Sequence, residues 1–439
     1  MVADRSQMSP PTTTGSPGAR VGTMRWWILG WLLGGGIINY LDRANLALAA
    51  PEMIKELGLT AAGIGLMGSL FSWTYAMMQL PAGWLVDRFG SKRIYSIAVA
   101  VWSVATAAMG LCYRLPQFLI ARIALGIGEA PCFPTSAKIT ASWFPRHERG
   151  LATGIWDSSS KWGPALAPIL LVPIEVAFGW RALFYVTGAL GLVFVAAFLV
   201  FYRSPAKSKR LSAAERALIE SGADDSAAEE HIPWLRLFTK RTIWGMMLGF
   251  FCTIWMWNIF LTFLPLYLLK TQNISLAQLG LYASIPYVGG ILGDIGGGMI
   301  TNRLAKRTTV APFDIRRRLI VVCAILAGIS VVLLPSVTGL WPTVALLTLA
   351  LCFLSAISGS AWAMPGDVAP QRLVGSVGAI QNFGGYFGGA FSPLVAGLIV
   401  DATGSYSLAF YSGGAIAALA AACYWFIVRK PIHTVAAAA

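Results

Sequence analysis

The sequence predicts an all-α membrane protein, with twelve transmembrane helices in two pseudo-symmetric six-helix bundles joined by a cytoplasmic linker. Three observations carry that expectation. Of the 439 residues, 56% are hydrophobic and 12% are charged, where a soluble chain carries about 25% charged residues. Apolar runs of 18 or more residues recur along the chain, each able to cross about 30 Å of hydrocarbon. One long polar stretch, 204–240, divides these runs six and six.

Taken in order, residues 1–24 are rich in Ser, Thr, Pro and Gly and read as a disordered cytoplasmic N-terminus. No small-residue cleavage site follows a short apolar core, so the first run is a span and not a signal peptide. The N-terminal bundle, 25–203, holds runs at 25–48, 61–85, 93–112, 117–141, 150–174 and 181–203. The linker, 204–240, opens on Ser204-Pro205, carries both charges and contains a weakly amphipathic patch from Ser212 to Ile219. The C-terminal bundle, 241–429, holds runs at 242–269, 277–300, 317–337, 341–363, 373–400 and 406–428, and 430–439 is a cytoplasmic tail.

The net charge of +14 would suit nucleic acid, but its distribution excludes that partner. Basic residues gather in alternate connections: Arg88, Lys92 and Arg93; Arg146 and Arg149; Arg203, Lys207, Lys209 and Arg210; Arg303, Lys306, Arg307 and Arg316 to Arg318; Arg429 and Lys430. The opposite connections hold little beyond Lys55, Arg114, Arg181 and Lys270. This is the positive-inside pattern of a multi-pass protein of the cell inner or plasma membrane. With an even number of spans, both termini are cytoplasmic. The six cysteines lie singly in spans without metal spacing and read as packing residues. The three histidines, His147, His231 and His433, fall in cytoplasmic segments, so no metal site is expected. The span glycines, such as Gly293 and Gly384-Gly385, suit close helix packing. They form no phosphate cradle, so ATP does not drive the protein. No nucleophile–base set points to an enzyme.

Function resides in charges inside apolar segments. Asp42 and Arg43 lie in the first span, Arg122 and Glu129 in the fourth. A charge at mid-bilayer costs about 2.5–3.5 kcal/mol on insertion scales and marks a functional site by default. Helix spacing sets Asp42 and Arg43 opposite Arg122, with Asp42 outside the midplane and Glu129 about 10 Å deeper. Arginine stays charged and offers carboxylates a planar fork. Arg43 and Arg122 therefore bind an anion or organise the acids, and Asp42 and Glu129 carry protons. Static ion pairs locking the first and fourth helices are the alternative. In the fifth span Asp157 and Lys161 are spaced i, i+4, so Lys161 either neutralises Asp157 or faces the cavity as an extra cation.

The stretch Gly83-x-x-x-Asp87-Arg88-x-Gly90-x-Lys92-Arg93 resembles the loop motif of the major facilitator superfamily, echoed six spans later by Gly298-x-x-x-Asn302-Arg303. Asn39-Tyr40-Leu41-Asp42-Arg43-Ala44-Asn45, Arg122-x6-Glu129-Ala130-Pro131-x-Phe133-Pro134 and Gln381-Asn382-Phe383-Gly384-Gly385 are similar to the anion:cation symporter family within it. So are Gly179-Trp180-Arg181 and Phe260-Leu261-Thr262-Phe263-Leu264-Pro265, and the likeness covers about 24–428. The resemblance implies proton-coupled uptake of a small organic anion, a sugar acid first and an aromatic or other dicarboxylate second. It implies no cofactor beyond the proton gradient, partnership with the lipid bilayer, and function as a monomer. It adds Tyr75, Trp362 and Asn382 to the substrate site, with Tyr40, Gln79, Asn258, Thr262, Ser358 and Ser360 as weaker candidates. It makes Gly83, Asp87, Arg88, Gly90, Arg93, Asn302 and Arg303 a cytoplasmic gate, with Asp294 in the second half's network. Two features depart from the family: Lys161, and Trp255, Trp257 and Asn258 where relatives place tyrosines. A proton-driven exporter and a ligand sensor built on the transporter fold are the competing readings. Only Gly163-Pro164 survives of the antiporter motif in the fifth span, and no output module is visible.

Overall fold

The computed structural model describes residues 22–220, 234–369 and 374–429. Residues 1–21 of the expected N-terminal segment, the C-terminal tail with Lys430 and His433, and the linker stretch with His231 lie outside them. In the first half the helices are α1 (Met24–Leu57), α2 (Ala61–Phe89), α3 (Ser91–Met109), α4 (Leu115–Glu129), α5 (Cys132–Trp143), α6 (Arg146–Asp157), α7 (Ser159–Phe178) and α8 (Trp180–Phe201). The linker holds α9 (Ala213–Glu220). The second half has α10 (Arg241–Gln272), α11 (Leu276–Tyr282), α12 (Ser284–Arg307), α13 (Pro312–Val332), α14 (Leu340–Val368), α15 (Val374–Gly389), α16 (Ser392–Thr403) and α17 (Tyr406–Ala422), which runs into a π-turn at Cys423–Ile427.

These helices make twelve passages, because four expected spans are broken in two: α4–α5, α6–α7, α11–α12 and α15–α16. The first break falls at Ala130-Pro131, directly after Glu129, where proline supplies no N–H to continue the ladder. The last precedes Ser392-Pro393, with proline at the start of α16. Nine passages are long and apolar enough to cross a membrane by composition alone among the described residues. The first three fall short of that measure; α1 carries Asp42 and Arg43, and α3 opens on Lys92 and Arg93. On α3, Ile97, Val101 and Val104 are exposed, an apolar outward stripe at i, i+4 and i+7 suited to lipid. The chain is a multi-pass membrane protein.

Several ends differ from the sequence expectation. Helix α1 runs nine residues beyond position 48, through Pro51, and stops at Gly58 with a left-handed φ of +65°. Asp42 lies near the middle of α1. Gly90 joins α2 to α3 at φ +85°, a conformation that a Cβ disfavours.

Helices α1–α8 pack among themselves, as do α10–α17. The halves meet along α2–α16, along α7 against α11 and α12, and along α1–α10. One face of the molecule carries Arg88, Arg93, Arg203 and Arg303 and is here termed the basic face. At the opposite face the halves are sealed. The Asp401 carboxylate, at the end of α16, accepts the Ala61 N–H at 2.9 Å and the Ala62 N–H at 2.8 Å, at the start of α2. A Cβ at Gly65 would collide with the Pro393 carbonyl, and one at Gly397 would lie 2.5 Å from the Ala61 carbonyl. The Ser69 hydroxyl accepts the Leu394 N–H at 3.1 Å.

On the basic face, α9 folds back onto the first bundle. Buried Glu215 accepts the Arg25 N–H at 3.0 Å and Arg25 Nη1 at 3.1 Å. The same Arg25 forks onto Glu148 at 2.8 and 3.1 Å. Leu211 and Ile219 pack in that bundle's core. This part of the linker belongs physically to the N-terminal half.

Candidate functional site

Between the halves lies a cavity of about 40 Å³ whose wall includes Arg43 and Arg122 from the first half and Trp257, Asn258, Thr262 and Tyr386 from the second. That volume holds about three waters, taking 10–15 Å³ for each.

Arg43 is the centre of the site. Its Nε donates to Glu129 Oε2 at 2.7 Å, and the Glu129 side chain is fully buried. The guanidinium carbon lies 4.7 Å from the rings of Tyr40 and Tyr75 and 5.1 Å from Phe71. This cage orients the fork and supplies cation–π attraction away from water. Arg43 Nη2 and Glu129 Oε1 have no hydrogen-bond partner, so the pair is not saturated. The sequence spacing set Arg43 opposite Arg122; both reach the cavity wall beside Phe71, and Arg43 also joins Glu129. Arg122 is 2% exposed, and its Nε and Nη2 are unpartnered. It lies 5.9 Å from the Phe71 ring and within electrostatic reach of Glu129 and Asp42.

Asp42 points elsewhere. It is fully buried, absent from the cavity wall, and turned toward Thr106 of α3 and Thr187 of α8. Neither of its oxygens makes a hydrogen bond, for Thr187 Oγ1 donates to the Leu183 carbonyl and accepts from Asn45. Neighbours in sequence thus serve opposite sides of α1: Arg43 the cavity, Asp42 the interior of the first bundle.

Lys161 is buried at the start of α7. Its Nζ lies 4.8 Å from the Trp257 ring, across the divide between the halves, and bonds Ser160 Oγ at 3.3 Å. Asp157 lies within electrostatic reach, but among the described residues the two form no ion pair. Asn258 is anchored, donating to the Gly389 carbonyl at 3.1 Å. Tyr75 stacks on Phe71 at 5.9 Å and meets Tyr386 at 5.4 Å. Gln79 Nε2, Asn382 Oδ1 and Ser360 Oγ have no partners. Trp362 is exposed and edges onto Phe250 at 5.6 Å. Tyr40, Tyr75, Gln79, Glu129, Lys161, Ser358, Ser360, Trp362 and Asn382 all lie off the wall of this cavity.

Of the gate residues, Arg88 rests over Trp84 and Phe89 on its own helix at 5.2 and 5.7 Å, and Arg93 and Arg303 are exposed. Gly83 has open space where a Cβ would stand. The side chains of Asp87, Asn302 and His147 lie outside the described residues. Asp294 sits against Gly359 of α14 and within electrostatic reach of Asp157.

Three features escaped sequence reasoning. Tyr386, one helical turn past Asn382, lines the cavity and stands in electrostatic contact with Arg43. Its place directly after Gly384-Gly385 was the available signal. Cys252 and Cys423, distant in sequence, interact with one another. Glu175 is a buried acid at the end of α7, hidden in an apolar run that ends near it.

Known proteins match this architecture. The model of the Major Facilitator Superfamily matches residues 32–393 and 313–438. A probable L-galactonate transporter of Escherichia coli K12 is 34% identical over 399 residues, covering 90% of this chain and 88% of that one. A probable sulfoacetate transporter of Cupriavidus necator is 36% identical over 416 residues, covering 94% and 95%. A bacterial homologue of the human lysosomal transporter Spinster, solved inward-facing and occupied, superposes with a TM-score of 0.74 at 18% identity, covering 94% and 98%. That likeness is one of fold.

Proposed function

The chain belongs to the Major Facilitator Superfamily, a transporter rather than an enzyme, and from that premise we propose that it takes up a small organic anion together with protons by alternating access. A sugar acid such as an aldonate, uronate or aldarate is the first substrate class, and a compact dianion the second. The observation that carries the reading is the buried Arg43–Glu129 pair, whose arginine lines the cavity between the halves. While Glu129 is ionised, it holds Nε of the fork and offsets the charge that a substrate carboxylate needs. A proton on Glu129 releases that fork, so proton and anion bind together rather than in competition. A bare carboxylate buried without partners is costly, which suits Asp42 to a second proton site behind the first. The names of the two relatives, a galactonate and a sulfoacetate transporter, support a polyhydroxy acid or a dianion. Lys161, beside Trp257, supplies a second cation for the far end of such a molecule.

In this reading the basic face and both termini are cytoplasmic, in the cell inner or plasma membrane, and the sealed face looks outward. Arg88 and the motif around it form the cytoplasmic gate. The protein works as a monomer in the lipid bilayer, without a cofactor, on the energy of the proton gradient. The test is a thermal-shift screen of the purified protein against sugar acids, aromatic acids and dicarboxylates. A ligand at 100 times its Kd stabilises the folded state by about 2.7 kcal/mol. Stabilisation by organic cations or neutral sugars, and by no anion, refutes the reading.

A further inference from the structure

One buried acid has no part in the site above. Glu175 lies in the last turn of α7, 3% exposed, and neither carboxyl oxygen has a hydrogen-bond partner. It shares a face of α7 with buried Pro168, Leu171 and Val172, at i−7, i−4 and i−3. That face forms the outer seal against the second half: a Cβ at Gly280 of α11 would stand 3.0 Å from the Pro168 carbonyl and 3.4 Å from Val172 Cβ. Glu175 is one turn further out. Among the described residues, Glu52 of α1 is the ionisable group that acts on it, and no cation does. Lys55 on α1 is exposed. Arg181 of α8 is paired with Glu56, which also accepts Trp180 Nε1 at 2.7 Å. Helix α11 carries no charged residue, and Asp294 of α12 sits far inward against Gly359.

We propose that Glu175 is a proton-binding site in the external seal, separate from Asp42 and Glu129, which takes up a proton from outside when the seal closes. An unpaired carboxylate cannot be buried there without a large desolvation cost, and a neutral acid can. Opening the seal wets Glu175 and lets the proton leave to the side it came from. The site therefore adds nothing to net proton transport; it links the open–closed equilibrium to external pH. One linked proton moves that equilibrium up to about tenfold per pH unit, with alkaline pH favouring the open form. The proposal rests on the alternating motion of the halves and not on the identity of the anion or on the coupling acids.

The experiment places spin labels at Leu111→Cys and Ala402→Cys, exposed positions on opposite halves, in full-length protein whose native cysteines are replaced by alanine. The inter-label distance distribution is then followed against pH. The background carries Asp42→Asn with Glu129→Gln, so that titration of those acids cannot contribute. The expected result is a pH-dependent shift toward the open population in this background that vanishes on adding Glu175→Gln. Glu175→Leu, neutral and apolar, also stays closed, and serves if the glutamine variant does not fold. Glu52→Gln keeps a pH response with the closed form favoured to higher pH. A flat response in the background, or an unchanged response after Glu175→Gln, overturns the proposal. Neither outcome bears on whether Asp42 and Glu129 couple transport.

Discussion

Replacing Arg43 by lysine keeps the charge and removes the fork, which isolates what the guanidinium geometry contributes. In the resting site Nε holds Glu129 at 2.7 Å, Nη2 is unpartnered, and three rings lie within 5.1 Å. An ammonium satisfies Glu129 as a point charge, so the unliganded protein keeps most of its stability. It cannot hold a substrate carboxylate through two parallel N–H bonds within the same cage. The loss is one charge-assisted hydrogen bond, about 1.5–3 kcal/mol, or about 10- to 150-fold in Kd at 1.4 kcal/mol per decade. Titration calorimetry with the best acid from the thermal-shift screen measures it. Arg43→Met supplies the contrast: it leaves Glu129 buried and unpaired, which costs about 3–5 kcal/mol and lowers the melting temperature without ligand. If Arg43→Lys binds with unchanged affinity, Arg43 does not hold the substrate. If Arg43→Met melts like the parent, the buried pair is not what the geometry says it is.

Asp42→Asn and Glu129→Gln should each abolish accumulation driven by a pH gradient, while at least one keeps counterflow exchange; wild-type accumulation by both in proteoliposomes removes the coupling role. Lys161→Gln should weaken a dianion more than a simple monocarboxylate, by about 1–3 kcal/mol for a lost bond to charge. If the single variant is instead unstable with every substrate and Asp157→Asn restores it, Lys161 serves only to neutralise Asp157. Asp401→Asn keeps one acceptor for two N–H groups, so the sealed population should fall by about 1–2 kcal/mol, a factor of about 5–30. Distances between labels across the sealed face read this directly, and an unchanged distribution shows that the carboxylate does not hold the seal.

The passages, their division by the linker and the charged spans were legible because desolvation and hydrocarbon thickness act on composition alone. The breaks were only partly legible. Pro131 and Pro393 announce two of them, whereas Ser158 and Ala283 carry no such mark. The site was legible as a set of residues and not as a geometry. Spacing on straight helices sets Arg43 opposite Arg122 and does not show that Glu129, at the end of α4, pairs with Arg43. Helical period likewise does not say which side of α1 faces the cavity, so Asp42 and Arg43 looked equivalent until neighbours such as Thr187 and Tyr75 were in place. Tyr386 and Glu175 stayed hidden because one resembles any packed ring and the other sits in an apolar run; only their surroundings distinguish them.

The contact at Asp401 is lopsided: one half contributes a side chain, the other only main chain. The residue types at 61 and 62 are therefore free to vary without touching it, and no exchange of partners across the interface can repair its loss. Records of paired substitution between these helices would be blind to it. A single chemical handle remains on the far side. Position 61 is the first of α2, where proline is well tolerated, and Thr60 before it is already extended at ψ 163°, as a residue preceding proline must be. Ala61→Pro would delete one donor and set its ring Cδ where the Asp401 oxygen now lies, so the carboxylate is displaced and the seal is broken from the backbone alone.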